Sequence, residues 1–194
     1  YRDQGNSYYG TAKLGSVSGT SITFGSAVIF NSSTTNEGKI SFDPNTSGKF
    51  VITYANATNS SRGEAVIGTL SGSSLSFGSA VIFNSSSSSR NSLAFDPNSA
   101  GKFVITFRNG GNSNAGTAIV GTLSGSSLSF GSLVAFDSSG LELHGLAFDP
   151  NAAGIFVIAY RDYGNSNYGS GIVGTVSGTS TSFGSKYVFN SGET

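Results

Sequence analysis

Apolar residues recur along this chain in short runs and alternations, never at a sustained 3.6-residue spacing, so strands are predicted throughout and long helices nowhere. The run Phe50-Val51-Ile52-Thr53-Tyr54 is nearly continuous in β-branched and aromatic residues, as expected of a strand covered on both faces. A shorter strand over 39–42 precedes it and ends at Asp43-Pro44-Asn45 and Gly48. Proline there fixes φ, and Asn and Gly tolerate positive φ, so a turn is predicted. A third strand over 65–70 meets a fourth over 75–83 across Ser71-Gly72-Ser73-Ser74, with glycine supplying the unusual dihedral of a hairpin.

This four-strand pattern is a repeat. Phe24-Gly25-Ser26 returns at Phe77, Phe130 and Phe183, and Phe42-Asp43-Pro44-Asn45 returns at Phe95 and Phe148, each step being 53 residues without insertion or deletion. Tyr1, Tyr54, Phe107 and Tyr160 keep the same interval. The chain therefore reads as a single repeat domain over 1–194, with units 1–53, 54–106, 107–159 and an incomplete 160–194. Four antiparallel strands in a repeated unit of this length predict an all-β, β-propeller-like array of four-stranded blades. A β-solenoid with one coil per unit is the alternative. The glycines at 15, 68, 121 and 174 and at 19, 72, 125 and 178, with the Phe at 30, 83, 136 and 189, read as backbone and packing requirements. Variation falls instead in the loop after strand two and in segments 31–39, 84–92 and 137–145, which read as loops where binding would be tuned.

The register at the ends adds an expectation about assembly. Starting at Tyr1, the chain supplies strands three and four of a first unit and closes on strands three and four near Asn190. The first half-unit is expected to lack its partner strands, an exposed edge that either continuation of a longer parent chain or a neighbouring subunit would complete. No initiator Met, basic stretch or apolar signal segment stands at the start, so any export signal is expected to lie outside this sequence.

Composition narrows the partners. Ten Lys plus Arg balance ten Asp plus Glu, and 10% of residues are charged, against about 25% in ordinary soluble domains. No nucleic-acid partner is expected without a basic footprint. The longest apolar run, Ile155 to Tyr160, is six residues, whereas a spanning helix needs about 20, so no membrane span is expected. Absence of Cys removes disulfides, thiolate metal sites and cysteine nucleophiles. A surface solubilised by Ser, Thr, Asn and Gly points to an extracellular, cell-surface or virion location.

Tyr1-Arg2-Asp3-Gln4-Gly5-Asn6-Ser7 and Tyr160-Arg161-Asp162-Tyr163-Gly164-Asn165-Ser166, with Gly-Thr-Val-Ser-Gly-Thr-Ser at 174–180, resemble uncharacterised repeats of large surface and tail-fibre-like proteins of marine bacteria and phages. That resemblance covers the whole chain and implies a surface repeat. Asp3-Gln4-Gly5-Asn6-Ser7-Tyr8 is also similar to the Asp-box, D-x-G-x-x-aromatic, of sialidase-type and lectin propellers, which implies a propeller. The sequence departs from that box at Tyr1, at Asn167 in place of the aromatic, at Asn56 and Asn109 in place of Asp, and at Thr58 in place of Gly.

Arg2, Arg108 and Arg161 occupy equivalent positions at the end of strand two, each followed by Asp3, Asn109 or Asp162, while Ala55 interrupts the set. Converging arginines hold a carboxylate bidentately. A glycosidase would also need paired carboxylates at a defined separation. The only histidine, His144, reads as an exposed loop residue, so no catalytic residue, cofactor or metal site is expected. The aromatics Tyr8, Tyr9, Tyr163 and Tyr168 with the amides Asn6, Asn112 and Asn165 suit a sugar, held by an aromatic face and a few hydrogen bonds. Asp43, Asp96 and Asp149 read as turn formers rather than calcium ligands. Asn31, Asn45, Asn56, Asn59 and Asn84 stand in glycosylation sequons. The expected function is a non-enzymatic structural or adhesive repeat module with glycan or cell-surface polysaccharide partners. Its alternatives are a filament- or shell-forming subunit that self-assembles through incomplete terminal blades, and a glycosidase-like propeller fragment.

Overall fold

A computed structural model describes residues 1–193 and is all-β apart from three single-turn 3-10 segments. Four antiparallel sheets follow one another along the chain. Sheet one contains β1 (Arg2–Asp3), β2 (Tyr9–Ser18) and the first part of β3 (Ser21–Phe42). Sheet two contains the rest of β3, β4 (Lys49–Asn56), β5 (Arg62–Ser71), β6 (Ser74–Phe77) and the start of β7 (Val81–Phe95). Sheet three takes the remainder of β7, then β8 (Lys102–Asn109), β9 (Ala115–Ser124), β10 (Ser127–Phe130) and β11 (Val134–Asp137). Sheet four is a complete meander of β12 (Leu141–Phe148), β13 (Ile155–Asp162), β14 (Tyr168–Ser177) and β15 (Ser180–Glu193). No sheet closes on itself.

The segments expected as loops at 31–39 and 84–92 are instead the middles of β3 and β7, which pass unbroken from one sheet into the next. Their polar residues stay paired because each strand absorbs its extra residues in a bulge, between Asn36 and Lys39 or between Ser89 and Ser92. Glu37 and Arg90, one in each bulge, take positive φ. Only the third copy breaks, between β11 and β12, where Gly140 has φ +83°.

Turn chemistry follows the sequence closely. Asp43, Asp96 and Asp149 each accept a hydrogen bond from the amide two residues on, at 2.8–2.9 Å. Gly19, Gly72, Gly125 and Gly178 open the two-residue hairpins with φ of +57° to +62°, the positive value that mirror-image turns require at their first position.

The sheets pack face to face, and the same three aromatics build each interface. Phe30 lies 5.4 Å from Tyr54 and 5.8 Å from Phe77, Phe83 lies 5.2 Å from Phe107 and 6.0 Å from Phe130, and Phe136 lies 5.6 Å from Tyr160 and 5.5 Å from Phe183. Within each unit the strand-two ring (Phe50, Phe103 or Phe156) lies over a glycine of strand three. A Cβ at Gly68, Gly121 or Gly174 would overlap that ring. Strands β4 and β8 are buried on both faces, because a sheet lies on either side. In β13 the same sequence pattern alternates between buried and exposed, because no sheet among the described residues covers the outer face of sheet four.

Candidate functional site

The loop after strand two is a 3-10 turn over Ala57–Asn59, Gly110–Asn112 and Tyr163–Asn165, entered from an extended residue and left through a left-handed serine. Asp3, Asn109 and Asp162 accept from the amides of Gly5, Gly111 and Gly164 at 3.0–3.2 Å, which holds the turn. Where Thr58 replaces that glycine, Asn56 turns inward instead. Its amide donates to both Glu64 oxygens at 3.1 Å, while Arg62 Nε pairs with Glu64 at 2.6 Å.

Asn56, Asn109 and Asp162 are therefore framework rather than surface, while Asp3 is half-buried. Asn109 is buried and accepts from Asn84 Nδ2 at 3.2 Å. Asp162 is fully buried, with Lys186 Nζ at 2.5 Å. The same ammonium lies 3.0 Å from buried Asp137, which also accepts from the Tyr160 hydroxyl at 2.9 Å. Burial alone would lower the Lys186 pKa, but the Asp162 and Asp137 carboxylates outweigh it and hold the ammonium above the ordinary lysine range. Burial, then the Asp137 carboxylate, raises the Tyr160 hydroxyl.

Three predicted residues do meet. Arg108 of sheet three and Arg161 of sheet four lie 6.0 and 5.7 Å from the exposed ring of Tyr163, the outer range of cation–π attraction. Two charged residues that the sequence did not single out complete this rim. Glu142 sits opposite Arg161 across β12 and β13, and Arg90 reaches it from the bulge of β7 at 2.8 Å. Hydrogen bonds from Tyr163 and Arg90 hold the Glu142 carboxyl below the usual carboxylate range. The backbone amide of Arg90 donates in turn to the Glu37 carboxylate of the preceding bulge. The rim is thus a ladder of alternating charge, Glu37 to Arg90 to Glu142, climbing across three sheets. A usable signal was present in the sequence: Glu37 and Arg90 are 53 residues apart and opposite in charge.

The other candidates stay apart from this cluster. Arg2 stacks on Tyr8 within its own turn, 4.2 Å from the ring centroid. Tyr9 and Tyr168 are half-buried, Asn165 is half-buried, and Asn6 and Asn112 are exposed on separate turns. Among the sequon residues, Asn56 and Asn84 are buried, and the Nδ2 of each donates hydrogen bonds inside the protein. Asn31 Nδ2 donates to Thr35 Oγ1 at 2.7 Å, and Asn45 and Asn59 are exposed.

His144 is not the free loop residue expected. Its Nε2 lies 3.0 Å from Thr106 Oγ1, because the bulge of β12 turns it toward sheet three. Burial lowers its pKa to about 4, partly offset by the Thr106 backbone and reinforced by Lys39. With Glu37, Lys39, Arg90 and Asn91 it lines a cavity of about 330 Å³. No group of three or more potential metal ligands is present among the described residues. No helix among them is long and apolar enough to cross a membrane.

No protein-family model matches the chain, and neither curated proteins nor solved structures yield a match. Function has to be read from the molecule's own geometry.

Proposed function

We propose that this chain is a non-enzymatic structural repeat module, a run of propeller-type blades serving as a scaffold at a cell or virion surface. The observation that carries this reading is the inter-sheet core, built three times from the same residue positions: 30, 54 and 77; 83, 107 and 130; 136, 160 and 183. A surface that has packed against the next unit three times is made for stacking. The outer face of sheet four carries it a fourth time: Val157, Val173 and Phe189 are exposed at the positions of Val51, Ile67 and Phe83, which are buried in sheet two. Such a head-to-tail contact is heterologous, building a ring where the rotation between units closes and a filament where it does not. Sedimentation velocity and negative-stain images across a concentration series test it. End-to-end association that Phe189→Lys abolishes is expected, and a single monomeric species at every concentration refutes it.

A second reading has its own support. Arg108 and Arg161 flank one exposed ring, Tyr163, which suits an anionic glycan better than a neutral one. On a glycan array with the chain displayed polyvalently, acidic glycans should give signal that Tyr163→Ala removes. A blank array sinks the adhesive reading.

A further inference from the structure

The bulges of β3, β7 and β12 bring one position of the repeat together. Each bulge sets two residues against one of the partner strand, and the second of the two is Gly38, Asn91 or His144, spaced by 53 residues. All three line the cavity of about 330 Å³ already described. The frame is the same in each unit while the side chain passes from none to a carboxamide to an imidazole, the kind of variation on a constant scaffold that tunes binding. Gly38 adds room, since a Cβ built on it would meet no heavy atom within 4 Å. Glu37, Gly38 and Lys39 are exposed, so the cavity opens to solvent on their side.

Asn91 sets the chemistry. It is 2% exposed, yet neither its Oδ1 nor its Nδ2 meets a hydrogen-bond partner among the described residues. One unit on, His144 Nε2 lies 3.0 Å from Thr106 Oγ1. Thr53 is the counterpart of Thr106, is fully buried, and its Oγ1 also has no partner, so the shorter carboxamide leaves open the contact that the imidazole closes. Buried polar atoms in folded proteins nearly all find a partner. A carboxamide that lines a cavity with both atoms unpaired therefore points to an occupant carrying a donor and an acceptor side by side. A vicinal diol does so, one hydroxyl donating to Oδ1 and the other accepting from Nδ2. Charge narrows the choice. The Glu37 carboxylate is taken up by the Arg90 backbone amide, and the Arg90 guanidinium by Glu142 at 2.8 Å. His144 is neutral near pH 7, because burial lowers its pKa to about 4. Among the described residues of this cavity, Lys39 is the cation left to meet an anion, since it makes no ion pair with them.

We infer that this cavity binds a uronic acid, with a ring diol on the Asn91 carboxamide and the carboxylate on the Lys39 ammonium. Its volume stands at the lower end of small-molecule pockets, about 300–1,000 Å³, which suits one sugar ring. A free sugar acid and the end unit of an acidic polysaccharide present the same chemistry here, and the experiment separates them. The inference goes beyond the scaffold reading, because stacking alone gives no use for an unpaired carboxamide beside a cavity. It is also separate from the Tyr163 rim, with which the site shares Arg90.

The test titrates sodium galacturonate, galactose and hexagalacturonate into the 194-residue chain and follows it by NMR. Galacturonate should shift the Asn91 side-chain amide resonances saturably, and galactose should bind at least about tenfold more weakly for want of the charged contact. Asn91→Leu, close in volume and rid of the two unpaired atoms, should fold at least as stably as the parent and lose binding. Lys39→Met should bring galacturonate down to the affinity of galactose and leave galactose unchanged. Lys39 is exposed, so that arm stands whether or not the Asn91 variant folds. Tighter binding of the monosaccharide than of the hexamer assigns a free sugar acid, and the reverse assigns a polysaccharide; either upholds the inference. No saturable shift would mean that water satisfies Asn91, and it overturns the inference, as does equal binding of galactose and galacturonate. Binding that Tyr163→Ala removes and Asn91→Leu leaves intact overturns it too, in favour of the rim. A chain that binds galacturonate through Asn91 yet never associates end to end would keep this site and remove the stacking reading.

Discussion

One position of the repeat offers a controlled experiment, because the same glycine stands in four environments. At Gly121 an added Cβ would overlap the Phe103 ring, and that ring has nowhere to go. Phe103 is fully buried, 5.0 Å from Phe95 and edge-on to Phe130 at 6.1 Å, so any shift disturbs two aromatic contacts. Overpacking of this kind costs about 1–3 kcal/mol. Replacing glycine recovers about 0.5–1 kcal/mol by restricting the unfolded chain. The net expectation for Gly121→Ala is a loss of about 1–2 kcal/mol. At about 2–4 °C per kcal/mol for a chain of this size, that lowers Tm by roughly 2–8 °C. At Gly15 the same Cβ meets only the exposed edge of Phe24, which can turn away. Gly15→Ala is therefore expected to be neutral or to stabilise by up to about 0.5 kcal/mol. Urea and thermal denaturation of both variants decide it. Equal destabilisation at the two positions, or a Gly121→Ala variant as stable as the parent, would refute the packing argument.

Two further expectations concern buried charge. Lys186→Met should cost roughly 2 kcal/mol, because Asp137 and Asp162 are left buried without their shared ammonium; the figure lies below that of a fully buried pair because the lysine side chain is 36% exposed. Since the folded pKa of Lys186 is raised, its contribution is complete below the ordinary value of 10.5 and is lost as pH rises through the folded value. Urea midpoints above pH 10.5 should thus fall in the parent chain and stay flatter in Lys186→Met. His144 works in the opposite direction: its folded pKa is depressed to about 4, so as pH drops below 6.5 the unfolded chain takes up a proton that the folded one refuses. Stability should decline by about 3 kcal/mol between pH 6.5 and 4, and His144→Gln should remove most of that slope. An unchanged slope would place the histidine in solvent.

The period, the four strands and their turns were legible because each is a local property. The Phe-Val-Ile run, Asp-Pro-Asn and Ser-Gly-x-Ser each specify backbone geometry within a few residues. The bulged segments misled because Ser, Thr and Asn have the composition of loops, yet Thr35 and Asn36 stay paired with Asn56 and Ala55. Burial of candidate ligands was hidden for a different reason. Asp162 and Asn109 carry the right chemical groups, but only the fold reveals that those groups face inward, to Lys186 and Asn84. Arg108 and Arg161 could be nominated from equivalent positions in the repeat, and Tyr163 as an aromatic of the loop after strand two. The Arg90–Glu142 pair could not, since it crosses from one sheet to the next off the 53-residue step and depends on how far successive bulges are displaced.

Stacking also explains why one repeated sequence gives two kinds of strand. Val51 and Val104 are fully buried, whereas Val157 at the same position of β13 is 48% exposed. Their local sequences are nearly the same, so neighbouring sheets decide the difference. Each interior unit gains the burial of both faces, while the outermost pay for an apolar face left in water. Sheet four presents one side of the repeated interface through Phe189, 65% exposed where its counterpart Phe83 is 4% exposed.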